Sequence, residues 1–290
     1  MMNLFHDVSI NCSRITTERY STSFASAIKL LHKELRNPIY SIYGFVRLAD
    51  EIVDTFHEYD KTALLAEFKR DTFQALHQGI SLNPILQSFQ LVVNRYQIDH
   101  ELIRAFFASM EMDLENTRYD KSGYVEYIYG SAEVVGLMCL YIFCDGNRSE
   151  YESLKSYARS LGAAFQKVNF LRDVKADFNG LNRIYFPACD FSNFTNGDKE
   201  KIEAEIQDDF NNAYAGILKL PIKARFGVYV AYKYYLSLFR KIKRLQPSRI
   251  FEERIRVPNY SKLLIIMRAG VKNRLRLIHA PIIERDLRSR

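Results

Sequence analysis

Tryptophan is absent from this chain, and 290 residues hold only four cysteines, seven prolines and twelve glycines. The cysteines (Cys12, Cys139, Cys144, Cys189) lack CxxC spacing. That argues against a zinc site or a disulfide framework and fits reduced, buried thiols in a cytoplasmic protein. With so little glycine and proline there is no Gly/Ser-rich or Pro-rich linker, no repeat and no low-complexity segment. The longest apolar run, Val134 to Cys144, is too short to span a bilayer. The first twenty residues lack the continuous apolar core of a signal peptide. An ordinary membrane-spanning protein is thereby excluded, but docking on a membrane surface is not.

Hydrophobic residues make up 48% of the chain and charged residues 26%, a globular composition. The length suffices for a core without cross-links. Net charge is +7, with the excess late in the chain, at Lys241, Lys243, Arg244, Arg249, Arg254, Arg256 and from Arg268 to Arg290. Most of this basicity reads as solvated surface. No nucleic-acid-binding motif accompanies it, so no nucleic-acid partner is expected. Apolar residues recur at three- and four-residue steps, as in "YSIYGFVRLADEIVDTF" and "ELIRAFFASMEMDL", while period-two alternation is rare. The expected fold is all-α, a single domain over 1–290. A helix is expected to start at Pro38, and loops near 79–84, 145–150, 179–187 and 244–249.

Two acidic stretches interrupt this apolar helical background. With a helix begun at Pro38, Tyr43, Arg47, Asp50 and Asp54 are spaced 4, 3 and 4. They fall within about 60° of one another on the helix surface. Gln166, Asn169, Asp173 and Asp177, spaced 3, 4 and 4, form a second polar stripe. One such stripe alone would read as a solvated face. Two of them, each with a neighbouring arginine (Arg47, Arg172) and apolar flanks, point instead to a shared cavity. Carboxylates repel at i, i+4 and are costly to bury unless neutralised or bound to cations. Facing stripes of this kind suit hard divalent cations that bring phosphate oxygens, and arginine suits the same phosphate.

Five blocks in order make the chain resemble the squalene/phytoene synthase family, the head-to-head branch of the trans-isoprenyl diphosphate synthases. They are "YSTSF" (20–24), "YSIYGFVRLADEIVD" (40–54), "YIYGSAEVVG" (127–136), "QKVNFLRDVKADFNGLNRIYFP" (166–187) and "RIRVPNYSKL" (254–263). The resemblance covers about residues 20–265 and leaves a basic tail, 266–290. It implies a helical bundle around a central apolar cavity. It also implies a Mg²⁺ cluster, with Mn²⁺ as the alternative, on Asp50, Asp54, Asn169, Asp173 and Asp177. Diphosphate oxygens would be held by Ser21, Ser23, Tyr43, Arg47, Gln166, Arg172, Tyr235 and Arg254. Phe24 and Tyr127 would border the reaction centre, with Tyr129 in place of Tyr127 if the block aligns two residues later.

The chemistry implied is condensation of two allylic diphosphates to a cyclopropylcarbinyl diphosphate, followed by a second ionisation and rearrangement to a hydrocarbon. The bacterial look of the compact chain and its "RIYFP" ending favours phytoene synthase, acting on geranylgeranyl diphosphate in carotenoid biosynthesis. NADPH is not expected, and a downstream desaturase is a candidate partner. The alternative is a C30 enzyme joining farnesyl diphosphate into presqualene diphosphate, dehydrosqualene or squalene. A more distant one is a non-enzymatic assembly factor of the same fold, in which the acidic motifs would be eroded. Chain length would be set by residues of the cavity floor, which the sequence does not name. Two departures stand out: Glu51 where many members carry Asp, and Glu133 where a glycine would permit close helix approach. The apolar product implies peripheral contact with the inner membrane face, for which 261–290 is the candidate segment; the alternative for that segment is a final core helix followed by a frayed tail.

Overall fold

The computed structural model describes residues 2–115, 118–181, 185–187, 194–252, 254–274 and Ile278, with the side chains of 176–181, 259 and 260 outside that description. Among these residues the architecture is all-α, without a β-strand. The helices are α1 (Met2–Tyr20), α2 (Thr22–Ile28), α3 (Lys33–Asp54), α4 (Lys61–Gln78), α5 (Pro84–Tyr96), α6 (His100–Glu115), α7 (Lys121–Ile128), a π-helical turn (Tyr129–Glu133), α8 (Val134–Phe143), α9 (Arg148–Leu181), α10 (Asn196–Lys219), α11 (Ile222–Lys243), α12 (Pro247–Ile250) and α13 (Asn259–Arg274).

Local chemistry sets many boundaries. Asp60, Asn83, Asp120 and Thr195 cap α4, α5, α7 and α10 with side-chain oxygens on free backbone N–H groups. Thr195 and Asp198 complete a capping box. Gly79 ends α4 at φ +70°, the left-handed conformation glycine adopts without penalty. Pro38 does not start α3. The helix begins at Lys33 and carries Pro38 inside it. Only one hydrogen bond to Glu34 O is lost so near the N-terminus, and burial of Leu35, Ile39, Ile42 and Phe45 offsets it.

Three other boundaries also depart from the sequence expectation. Helix α9 continues to Leu181, three residues into the expected loop at 179–187. The expected loop at 244–249 folds a short helix, α12, around Pro247. Helix α7, the π turn and α8 run on as one 23-residue stretch, Lys121–Phe143, long and apolar enough by length and composition to cross a bilayer. Most of that stretch is buried within the protein, against α6 and α9, as a core element.

The core has two parts. Phe45 of α3 stacks on Phe89 of α5, with ring centroids 3.8 Å apart, and meets Phe68, Phe106 and Phe107. This cluster fixes the back of α3. The second part is the long α9, held along α10 and packed by α8 and α11. Lys167 on the outer side of α9 pins it to α10 through Asp209 at 2.7 Å and Glu205. Between these parts lies a cavity of about 750 Å³. Of the described cysteines, Cys139 and Cys144 are buried thiols, Cys12 is half-buried, and Cys189 lies outside the described residues.

Candidate active site

The cavity has a polar end and an apolar end, and helix direction explains why. On α3 the wall residues run from Ile39 to Asp54, and on α9 from Leu154 to Asp173. Both helices carry apolar residues early and acidic residues late. Leu154 and Asp173 are separated by roughly 28 Å along the helix axis, at 1.5 Å per residue. Helices α2, α8, α10 and α11 complete the wall with Phe24, Leu140, Ile217 and Tyr235, among others.

At the polar end Asp50 and Asp54 of α3 share the cavity with Gln166, Asn169 and Asp173 of α9. The Asp177 side chain lies outside the described residues. Burial and the neighbouring Asp54 push the Asp50 carboxyl up to about 8, despite the opposing pull of Arg47. Asp173 is gripped by Arg172, Nε to Oδ1 at 3.0 Å, and by Arg254, Nε to Oδ1 at 2.8 Å. Arg254 thereby ties the segment before α13 to the site. The Tyr235 hydroxyl donates to Asn169 Oδ1 at 3.3 Å and also bonds Arg172, so α11 fixes the α9 amide. Burial pushes the Tyr43 and Tyr235 hydroxyls above their ordinary values.

Arg47 lies over the Tyr20 ring at 4.4 Å and is ion-paired with Glu51, with its Nε buried and without a hydrogen-bond partner. Glu51 is buried and is not on the cavity wall. It anchors Arg47 from behind, a role that a shorter Asp would reach less readily. The unpartnered Nε of Arg47 beside the acidic pairs is what an incoming anion would satisfy.

Phe24, Tyr43, Phe165 and Tyr235 form an aromatic wall next to these groups. Phe165 stacks on Tyr235 at 3.9 Å, and Phe24 lies 4.9 Å from Tyr43 and 5.6 Å from Tyr235. Ser21 lines the cavity, but its Oγ is used as the N-cap of α2, accepting from Phe24 N at 3.4 Å. Ser23 is not among the residues that line the cavity, since one helical turn does not aim both residues 21 and 23 the same way.

The two tyrosines before and at the start of the π turn are placed differently. Tyr127 is buried on the wall, and its hydroxyl donates to Asp113 Oδ2 at 2.6 Å. Tyr129 lies off the wall, its ring under Arg159 at 5.2 Å. The turn puts Ser131 and Ala132 on the wall and sends Glu133 outward, to Arg159 Nε at 2.5 Å. Close helix approach is supplied by a different glycine from the one the sequence suggested. A Cβ on Gly162 of α9 would sit 2.6 Å from Ala132 O and 3.0 Å from Glu133 Cα. Close approach of α9 to the π turn thus rests on Gly162, with Glu133 off the cavity wall.

Asp113 of α6 went unnoticed in the sequence. It is buried on the cavity wall and gathers the hydroxyls of Tyr127, Tyr119 at 3.3 Å and Tyr185 at 3.5 Å. Burial and this carboxylate hold the Tyr127 hydroxyl well above its ordinary range. Tyr185 stacks on Tyr119, Tyr127 and Phe170, and Tyr127 packs at a tilt against Tyr119 and Phe170, so this side of the polar end is aromatic surface.

Among the described residues no group of three acidic, His or Cys side chains is gathered to hold a metal unaided. Among the described side chains the donors are Asp50 and Asp54 of α3 and Asn169 and Asp173 of α9. This fits a hard divalent cation such as Mg²⁺, which takes one or two carboxylates and completes its shell with water and phosphate. Asp50 gives a test. Between the unfolded carboxyl value and about 8, the folded chain keeps a proton that the unfolded chain has lost. Stability therefore falls as pH rises through that window. The metal-free melting temperature is expected to drop between about pH 6 and about pH 8.5. Added Mg²⁺ is expected to raise it more at the higher pH, since a cation replaces that proton. Equal Mg²⁺ effects at the two pH values, in a thermal melt, would remove Asp50 as a ligand.

The pattern described as squalene/phytoene synthase matches residues 17–261. The chain belongs to the squalene/phytoene synthase family. Among relatives of this family, the phytoene synthase of Arthrospira platensis is 27% identical, over 91% of this chain and 93% of its own length. The 4,4'-diapophytoene synthase of Staphylococcus haemolyticus is also 27% identical, over 68% of each chain. A crystal structure of a dehydrosqualene synthase superposes with a TM-score of 0.78 at 18% identity, covering 93% of this chain and 98% of that one. A squalene synthase from Alicyclobacillus acidocaldarius gives 0.72 at 20% identity, over 82% and 94%. Those two likenesses establish the squalene/phytoene synthase fold. Membership places the chain among prenyl-transferring synthases of the phytoene, dehydrosqualene and squalene type, which condense their substrates head to head.

Proposed function

We propose that this protein is a Mg²⁺-dependent phytoene synthase joining two geranylgeranyl diphosphates through prephytoene diphosphate. The observation that carries the reading is one cavity that gathers Asp50, Asp54 and Asp173 with Arg47, Arg172 and Arg254 at one end and has a long apolar interior. The C40 substrate is named first because the phytoene synthase likeness spans 91% of this chain; the 4,4'-diapophytoene synthase, equally identical at 27%, is the ground for the C30 alternative. The intact acidic positions speak against a non-enzymatic assembly factor.

The residues divide the work. Mg²⁺, when bound, neutralises charge on the leaving diphosphate. Arg172 and Arg254, now on Asp173, exchange that carboxylate for diphosphate oxygens and so free Asp173 to act as a ligand. Arg47 offers its unpartnered Nε to the same anion. The C–O bond breaks, the diphosphate keeps the electron pair, and the allylic cation is attacked by the second substrate's double bond. Proton loss closes the cyclopropane. Phe24, Tyr43, Phe165 and Tyr235 face the cation with their negative ring faces. The apolar interior excludes the water that would quench it.

Product release favours a lipid surface. Helix α13 exposes Leu263, Leu264, Met267 and Val271 beside Arg268, Lys272 and Arg274, and carries no acidic residue. Its Lys262 Nζ bonds Thr22 Oγ1 at 3.2 Å, next to the cavity residues Ser21 and Phe24. This face is suited to docking on anionic lipid. Flotation with anionic vesicles is expected, and its loss in a Leu263→Glu/Met267→Glu variant; equal flotation of both proteins rejects this face. Residues 275–290, apart from Ile278, lie outside the described structure.

The deciding experiment is product analysis with Mg²⁺ and geranylgeranyl or farnesyl diphosphate, each with and without NADPH. A C40 hydrocarbon from the first, without NADPH, is expected. A C30 product from farnesyl diphosphate alone moves the assignment to the C30 branch. No turnover of either substrate by folded protein rejects the enzyme reading.

A further inference from the structure

The apolar end of the cavity is closed by one side chain of unusual build. Tyr157 of α9 lines the cavity and lies roughly 18 Å along the helix from Asn169. Its side chain crosses to α10 directly over Gly216. A Cβ at Gly216 would sit 2.1 Å from Tyr157 Cβ and 2.6 Å from Cγ, so only glycine lets the tyrosine pass. Beyond Gly216 the hydroxyl accepts from Lys219 Nζ at 2.8 Å, at the exposed end of α10. The same ammonium lies 4.5 Å from the ring centroid. The ring therefore reaches from the cavity wall to the protein surface and fills the gap between α9 and α10. Leu154, Leu220 and Phe143 line the same cavity.

We propose that Tyr157, seated on Gly216 and held by Lys219, is the plug that limits the length of prenyl tail the cavity accepts. The inference rests on the prenyl diphosphate reading above and names its length-setting residue. With a diphosphate held at Arg172 and Arg254, a tail laid along α9 runs toward Leu154 and meets this ring. The ring has few ways to yield. Gly216 gives it a fixed seat, and swinging it outward breaks both contacts with Lys219. Truncating it joins the cavity to the surface between α9 and α10, where the end of a longer tail can emerge.

The test uses the full chain and the unreactive thiolodiphosphates of the C15, C20 and C25 prenyl alcohols, with dissociation constants measured by titration calorimetry in Mg²⁺. Wild-type protein is expected to show a length beyond which binding falls off. Tyr157→Ala is expected to move that limit one C5 unit longer, binding the first excluded tail at least about tenfold tighter, the scale of a single apolar contact in a specificity pocket. Tyr157→Phe keeps the ring and loses only the Lys219 hydrogen bond, and is expected to retain the wild-type limit. The same limit in Tyr157→Ala and wild type, both with cooperative thermal melts, overturns the proposal. So does a wild-type protein that binds all three lengths alike. Absence of binding by any diphosphate would instead sink the prenyl diphosphate reading and this inference with it. Normal binding with an unmoved limit sinks the plug alone.

Discussion

Asp173→Ala is expected to lower kcat/KM for the prenyl diphosphate substrate roughly 10²–10³-fold, the usual consequence of removing one preorganised stabiliser of a leaving group. The loss should fall mainly on kcat. Arg172 and Arg254, which hold Asp173 at 3.0 and 2.8 Å, remain in place and become free to grip the diphosphate. Ground-state binding is therefore largely kept while the metal loses a ligand. Asp50→Asn should lose activity on a similar scale for a different reason. Its carboxyl is held up to about 8 by burial and Asp54, so in the proposed function it exchanges a proton for a cation. An amide removes that option and also removes a charge that is costly to carry there, so Asp50→Asn should be no less stable than wild type above about pH 8. The double variant is expected to be little worse than either single one, because the two residues serve one metal-bound leaving group. Steady-state kinetics with Mg²⁺ varied would check this. Rates within threefold of wild type at saturating Mg²⁺ would mean that the acidic pairs do not serve the chemistry.

Much of this site was legible because its logic is helical. Spacings of 3 and 4 place Tyr43, Arg47, Asp50 and Asp54 on one stripe whatever the tertiary context, and the cavity receives all four. The same holds for Gln166, Asn169 and Asp173. Asp113 was not legible. It is one acid on an otherwise ordinary amphipathic helix, and its meaning lies in three tyrosine hydroxyls brought from two other places in the chain. Glu133 misled for a related reason. A π turn adds a residue to the helical cycle and rotates everything after it. Side-chain direction at residues 129–133 therefore departs from the 3.6-residue pattern that a sequence reading assumes. Pro38 misled because burial of the α3 face outweighed a single missing backbone bond. The cavity floor could not be read at all. The Tyr157–Gly216 contact joins α9 to α10 across 59 positions, and no local pattern marks it.

The acidic stripe of α3 can be no more rigid than the helix that carries it, and Phe45 is the peg of that helix. Its side chain is fully buried, stacked on Phe89 at 3.8 Å and surrounded by Phe68, Phe106 and Phe107 at 5.4 to 5.7 Å. Phe45→Ala is expected to destabilise the protein by about 3–5 kcal/mol, since the removed ring leaves a cavity that four neighbouring rings cannot collapse to fill. Against a total of roughly 5–15 kcal/mol, that is enough to threaten folding at growth temperature. Phe45→Leu keeps most of the volume and should cost about half as much or less. Urea denaturation would measure both. A change below about 1 kcal/mol for the alanine variant would show that the aromatic cluster is not what holds α3. Phe45 lies about 140° around the helix from Asp50, so it does not line the cavity. Any loss of activity in the alanine variant at low temperature, where it is still folded, therefore reports movement of the stripe and not loss of a contact with substrate. A drop in kcat together with a weaker response to Mg²⁺ is the expected signature, because in the proposed function Asp50 and Asp54 must keep their distance from Asp173 on α9 to share bound cations.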